Sequence, residues 1–122
     1  MQHAAHQAYG KVAKQTSSPR DLEANLLLKA AARLQALSDG WDNSRDQIEE
    51  ALLYNRKLWS IFLTTVTRQD NPLPEQVRQN VANLGLFVMN QTVILLQEPQ
   101  REQLRSLINI NRELAAGLLG RA

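Results

Sequence analysis

The fold of this chain is decided by one stretch, Leu52-Leu53-Tyr54-Asn55-Arg56-Lys57-Leu58-Trp59-Ser60-Ile61-Phe62-Leu63. In a helix formed by this segment and the residues on either side of it, Ile48, Leu52, Asn55, Trp59, Phe62 and Val66 share one face. A neighbouring stripe contains Ala51, Tyr54, Leu58 and Ile61. The apolar arc is wider than the ~100° of an ordinary surface helix. Such a helix needs neighbours on two sides, so we expect it to be the central helix of a small helical domain.

The chain as a whole, including this segment, is predicted to form a series of helices. They are predicted over about residues 19–38, 44–68, 74–97 and 100–118, with a short, weakly ordered or docked N-terminal helix over residues 1–16. No segment alternates at period two, and the joints are short. The sequence therefore predicts an all-α protein, a compact bundle of four long helices plus the short N-terminal helix, in a single domain spanning residues 1–122.

The helix boundaries rest on capping and breaking residues. Ser18 fits as an N-cap before Pro19, and Ser44 with Gln47 predicts a capping box for the central helix. Glu98-Pro99 separates the last two helices. Two of the neighbouring helices carry apolar stripes that we expect to be buried: Leu22, Leu26, Leu27, Ala30, Leu34 and Leu37 in one, and Leu104, Leu107, Ile108, Leu114, Ala115 and Leu118 in the last.

Composition narrows the function classes. Fourteen Lys and Arg residues oppose twelve acidic residues and leave a net charge of only +2, with the basic residues dispersed, so direct contact with nucleic acid is not indicated. The absence of cysteine excludes disulfides and thiolate metal sites. The N-terminus lacks the apolar core of a signal peptide, and the longest apolar run, residues 84–96, is too short to insert in a membrane. We expect a cytoplasmic protein.

Catalytic chemistry is not indicated. The two histidines, His3 and His6, lie on the weak N-terminal segment, and Glu49 and Glu50 are adjacent and so point in different directions. The sequence contains no phosphate-binding glycine loop, no HExxH motif and no nucleophile elbow. We therefore expect a protein that is not an enzyme and that has no cofactor or metal site.

The helix predicted over residues 74–97 is apolar on two sides. One stripe, expected to face the core, contains Val77, Val81, Leu84, Phe87, Val88 and Leu95. The second contains Leu86, Met89, Val93 and Leu96. A helix that is apolar all round is either buried throughout or offers one face to a partner. The second stripe is therefore either covered within the protein, for example by the N-terminal helix, or forms a docking groove for a helix of another protein.

Amides interrupt the apolar seams of two helices. Asn55 and Asn111 each occupy the middle of a seam, and a buried amide needs a polar partner, so the two are expected to pair, with Asn80 as a possible third member. Such a pair either fixes the helix register or contacts a bound partner. Other candidate contact residues near the seams are Leu53, Tyr54 and Arg56 on the central helix and Asn109 and Arg112 on the last helix.

Five runs together resemble a known family. They are Ser18-Pro19-Arg20-Asp21-Leu22-Glu23-Ala24, Leu52-Leu53-Tyr54-Asn55-Arg56-Lys57-Leu58-Trp59, Asp70-Asn71-Pro72-Leu73-Pro74, Asn80-Val81-Ala82-Asn83-Leu84-Gly85 and Ile108-Asn109-Ile110-Asn111-Arg112. In this order they resemble the FlaF flagellar biosynthesis regulators of alphaproteobacteria. The resemblance implies a cytoplasmic, non-enzymatic protein needed for flagellin production and filament assembly. It also implies a likeness to export chaperones that bind flagellin, and joint action with FlbT, a regulator that restrains flagellin translation.

Two functions from different classes follow from this resemblance. The first is a flagellin-binding export chaperone and regulator that works with a FlbT-type partner. The alternative is an RNA-associated post-transcriptional regulator that contacts flagellin message. Binding RNA requires a basic face, and the dispersed charges of this chain argue against one.

Overall fold

The computed structural model describes residues 18–121, so the N-terminal helix predicted over residues 1–16 lies outside the described residues. Within this range the chain forms four long α-helices and a single turn of 3₁₀-helix. They are α1 (Pro19–Asp39), the 3₁₀ turn (Trp41–Asn43), α2 (Arg45–Val66), α3 (Glu75–Gln97) and α4 (Arg101–Leu118). The prediction of an all-α bundle is confirmed, and the predicted helix boundaries agree with these to within two residues.

The helix ends are closed by local hydrogen bonds. Ser18 is the N-cap of α1, where its Oγ accepts the N–H of Asp21 at 3.0 Å. The capping box predicted at Ser44 is wrong, because the Ser44 hydroxyl donates instead to the carbonyl oxygen of Gly40 at 2.6 Å. Beyond α4, Gly120 adopts a φ of 75°, a conformation that favours glycine and that closes the last turn of the helix.

The helices form a ring in chain order. The most extensive contact joins α1 and α4, followed by α2 with α3 and α1 with α2, and the least extensive of these neighbouring contacts joins α3 and α4. Both helices of the most extensive contact bury alanines, among them Ala24 and Ala31 on α1 and Ala115 on α4. The ring places α1 diagonally opposite α3, and α3 depends chiefly on α2 for its packing.

The core is built around α2, as the sequence predicts. The face with Ile48, Leu52, Asn55, Trp59, Phe62 and Val66 is buried throughout. Trp59 and Phe62 meet edge to face, with their ring centroids 5.9 Å apart. Leu27 and Leu34 of α1 and Leu104, Leu107 and Ile108 of α4 complete this core.

On α1 and α2, three apolar residues that were expected to be buried are exposed. Leu22 and Leu26 on α1 and Ile61 on α2 have exposed fractions of 51%, 42% and 55%. The physical reason is that α1 makes its most extensive contact with α4, so its edge towards α2 is less completely covered. The expectation of burial for these residues was wrong, and an apolar groove lies open between α1 and α2.

Candidate partner-binding surface

Helix α3 buries a narrow face made mostly of small residues. Its buried positions are Val81, Gly85, Val88, Thr92 and Leu95, spaced by four and three. Gly85 lies directly against α2. A Cβ atom at this position would be 2.8 Å from Cγ of Leu63, so the two helices pack here without room for another side chain.

One edge of α3 contradicts the sequence prediction. Val77, Leu84 and Phe87 were expected in the core, but all three are exposed, as is Ile94. The stripe was chosen on apolar spacing alone, which cannot show how closely the next helix approaches. Of the contacts between neighbouring helices, the one between α3 and α4 is the least extensive. This edge of α3 is therefore left largely uncovered.

The second predicted stripe on α3 divides into an exposed and a half-buried part. Leu86 is 61% exposed and Val93 is 50% exposed, whereas Met89 and Leu96 are half-buried and pack against the core. With the part of the edge described above that lies in the same span, residues 84–94 of α3 expose Leu84, Leu86, Phe87, Val93 and Ile94, a set that we call the α3 surface. Leu84, Phe87 and Ile94 lie along one edge of the exposed side of this helix, and Leu86 and Val93 lie along the other. Large apolar side chains exposed on one helix are typical of a protein-binding site.

The α3 surface carries no charge. Residues 79–97 contain no Asp, Glu, Lys or Arg, and the polar residues on the exposed side of this run include the amides Asn83, Asn90 and Gln97. A partner that covers this helix would not need to remove water from an ionised side chain, which is the most costly part of burying a surface. The composition therefore favours an apolar contact over an electrostatic one.

The other predicted contact residues lie on different sides of the bundle. Arg56 is exposed and lies seven residues before Leu63, on the side of α2 that faces α3, and the exposed Leu53 lies one turn before Arg56. Tyr54 is half-buried on the α1 side, where the Arg33 guanidinium lies 5.8 Å from its ring centroid. Asn109 and Arg112 are exposed on α4, the neighbour that contacts α3 least.

The two seam amides meet in the core. Asn111 donates from Nδ2 to Oδ1 of Asn55 at 2.8 Å, and its own Oδ1 accepts the indole N–H of Trp59 at 2.9 Å. The same Nδ2 lies 3.5 Å from the carbonyl oxygen of Leu27, so one amide links α1, α2 and α4. Asn55, Trp59 and Asn111 are all buried, so the pair of amides is a structural contact and not part of the exposed surface.

Sequence reasoning misplaced one member of this network and missed another. Asn80 does not join the buried amides. It is exposed on α3, and its Oδ1 accepts from Gln76 at 3.1 Å, because α4 does not cover that edge of α3. Trp59, predicted only as part of the apolar core, supplies the third polar group. Its indole N–H was the available signal, since a buried indole usually finds an acceptor.

No group of three or more His, Asp or Glu residues in the described part of the chain is placed to hold a metal ion.

Burial raises the pKa of the Glu23 carboxyl, an effect partly opposed by Arg20. Glu23 lines a hollow at one end of the bundle with Phe62, Val66, Leu73, Val81, Leu114 and Leu118.

Within residues 18–121, no helix is long and apolar enough to cross a bilayer.

The model of one protein family, described as flagellar protein FlaF, matches residues 5–118 of the chain. The chain belongs to the FlaF family. Membership gives this FlaF protein a role connected with the flagellum. No curated protein matches the chain, and no solved structure matches it. The α3 surface is thus an exposed apolar feature of a FlaF-family bundle.

Proposed function

We propose that this FlaF-family protein binds flagellin as a cytoplasmic export chaperone and promotes flagellin synthesis and filament assembly together with a FlbT-type regulator. The observation that carries the proposal is the α3 surface, an uncharged helix face with large apolar side chains exposed in a protein of the flagellar system. We further propose that it acts by binding and not by catalysis.

The α3 surface suits an amphipathic helix as its partner. An amphipathic helix can lay its apolar face along an exposed apolar helix and recognise it through residues three and four positions apart. We propose that the partner segment is one of the terminal helices of flagellin, which the family resemblance implies as the cargo. While these helices are unassembled their apolar faces would be open to water, so covering them would keep flagellin soluble before export.

The proposal is tested by the affinity of the purified protein for purified flagellin, measured by isothermal titration calorimetry. We choose the double variant Leu86→Ser with Val93→Ser, because both side chains are at least half exposed and contribute little to the core. Fully burying one such side chain contributes about 1.5–3 kcal/mol. Since about half of each side chain is still open to a partner, we expect a loss of about 2 kcal/mol, a roughly thirtyfold weaker dissociation constant.

A matched control uses exposed apolar residues on another side of the bundle. Leu22→Ser with Ile61→Ser removes side chains of similar exposure from the groove between α1 and α2. This variant should bind flagellin as the unchanged protein does, and circular dichroism should show that both variants are folded. Equal affinities for all three proteins would overturn the assignment of the α3 surface.

The RNA alternative and the FlbT partnership are tested in parallel. The titration is repeated with a purified FlbT-type regulator present, and a gel shift uses flagellin leader RNA over a range of salt concentrations. We expect flagellin binding and no tight RNA binding. Strong, salt-sensitive RNA binding without flagellin binding would overturn the proposal in favour of the RNA regulator.

A further inference from the structure

The apolar groove between α1 and α2 is a second exposed apolar feature of the bundle. It is lined by Leu26 on α1 and by Tyr54, Lys57, Leu58 and Ile61 on α2, and Leu22 lies one turn before Leu26. At its far end, Arg33 lies over Tyr54 and pairs with Glu50 at 3.2 Å. The groove lies on the side of α2 facing α1, whereas Leu63 marks the side facing α3, so it is separate from the α3 surface.

We propose that this groove is covered by the N-terminal segment of the same chain, residues 5–15. The proposal is independent of flagellin binding, because it concerns another side of the bundle. It assigns a partner to three large apolar side chains, Leu22, Leu26 and Ile61, which the described helices leave exposed.

The point of attachment favours this occupant. Helix α1 begins immediately after Ser18, and Leu22 stands in its first turn at the near end of the groove. A segment tethered this close has an effective concentration on the order of millimolar. Even a weak contact, with a dissociation constant of about 0.1 mM, would then be occupied about nine-tenths of the time. The α3 surface is less accessible to the segment, because α3 lies diagonally across the ring from α1.

The length and pattern of the segment also fit. From Leu22 to Arg33 helix α1 advances by about 16 Å, and a helix formed by residues 5–15 would have the same length. In the sequence, Ala5, Tyr9 and Val12 recur at steps of four and three, which places them on one face of such a helix. The FlaF family model begins at residue 5, so the segment belongs to the region that defines the family.

Disulfide cross-linking in the full chain tests the proposal, because the protein has no cysteine of its own. One double variant carries Val12→Cys with Leu26→Cys, and the control carries Val12→Cys with Val93→Cys on the α3 surface. We expect the first pair to form an intramolecular disulfide at least about tenfold faster than the control pair. Equal rates, faster linkage to position 93, or linkage only between two chains would overturn the proposal.

A double-mutant cycle gives an independent measurement that does not require a disulfide. Tyr9→Ser and Ile61→Ser are made singly and together, and the midpoint of thermal unfolding is measured. If the two side chains are in contact, the double variant should lose less stability than the sum of the two single losses. Strictly additive losses, or no loss from Tyr9→Ser, would count against docking in this groove.

Discussion

Replacing Asn111 by alanine should destabilise the bundle far more than replacing Asn55, although both amides are completely buried. The difference follows from what each substitution leaves behind. Removing the Asn111 amide deprives the Trp59 indole N–H of its acceptor at 2.9 Å and the Asn55 Oδ1 of its donor at 2.8 Å. Two buried polar groups from α2 are then left without these partners.

The magnitude can be worked from these contacts. Each buried polar group left without a partner costs about 1–3 kcal/mol, so Asn111→Ala should cost roughly 3–5 kcal/mol once the small cavity is included. Asn55→Ala removes one acceptor from Asn111, whose Nδ2 still has the carbonyl oxygen of Leu27 at 3.5 Å. It also removes the Asn55 Nδ2, a buried group without a hydrogen-bond partner among the described residues. We therefore expect Asn55→Ala to cost only about 1–2 kcal/mol.

Urea unfolding followed by circular dichroism measures both free energies of unfolding. The Trp59→Phe background is the control, because it removes the indole N–H that Asn111 satisfies. In that background the cost of Asn111→Ala should fall by roughly 1–3 kcal/mol. Equal costs for the two asparagines, or an unchanged cost of Asn111→Ala in the Trp59→Phe background, would refute the assignment of Asn111 as the centre of the network.

Four further predictions concern single positions. Gly85→Ala should destabilise the protein by about 1–2 kcal/mol, despite the better helix propensity of alanine, because the new Cβ meets Leu63. Gly117→Ala, with nothing within 4 Å, should be neutral or stabilise by up to about 1 kcal/mol, and urea titrations of both variants check the contrast. Ser18→Ala should cost about 1 kcal/mol by removing the cap of α1, measured in the same way. Burial raises the pKa of Glu23 above its ordinary value of 4.5, so its contribution to stability is present at low pH and is lost as pH rises through the folded pKa. Glu23→Gln should therefore raise the thermal midpoint at pH 7 and change it little near pH 4, as calorimetry at both values can show.

The fold could be predicted because its signals are local. The apolar face of α2 extends along the whole helix, with Asn55 as its one polar member. Ser18 and Pro19 mark the start of α1 without reference to any other helix. The meeting of Asn55 and Asn111 could also be anticipated, since two amides in two apolar seams both need a polar partner and each can supply one. These inferences require only the knowledge that the helices pack together.

The features that could not be predicted from the sequence depend on how closely particular helices approach each other. Leu26 and Phe87 both have the spacing of core residues, yet both are exposed, because α1 turns towards α4 and α4 leaves one edge of α3 open. How closely α4 approaches α1 on one side and α3 on the other depends on the sizes of facing side chains, which come from helices far apart in the chain. Gly85 shows the same limit, since the sequence reveals a glycine but not that Leu63 occupies the space beside it.

The distribution of side-chain size on α3 is the strongest argument that this helix is shaped for a partner. Apart from Leu95, its buried positions hold only Val81, Gly85, Val88 and Thr92, whereas Leu84, Leu86, Phe87 and Ile94 are exposed. A helix that served only its own core would bury its largest apolar side chains and expose its small or polar ones. On α3 the order is reversed. Close packing against α2 requires small residues on the inner face, and the large apolar residues on the outer faces stabilise the protein only when something else covers them.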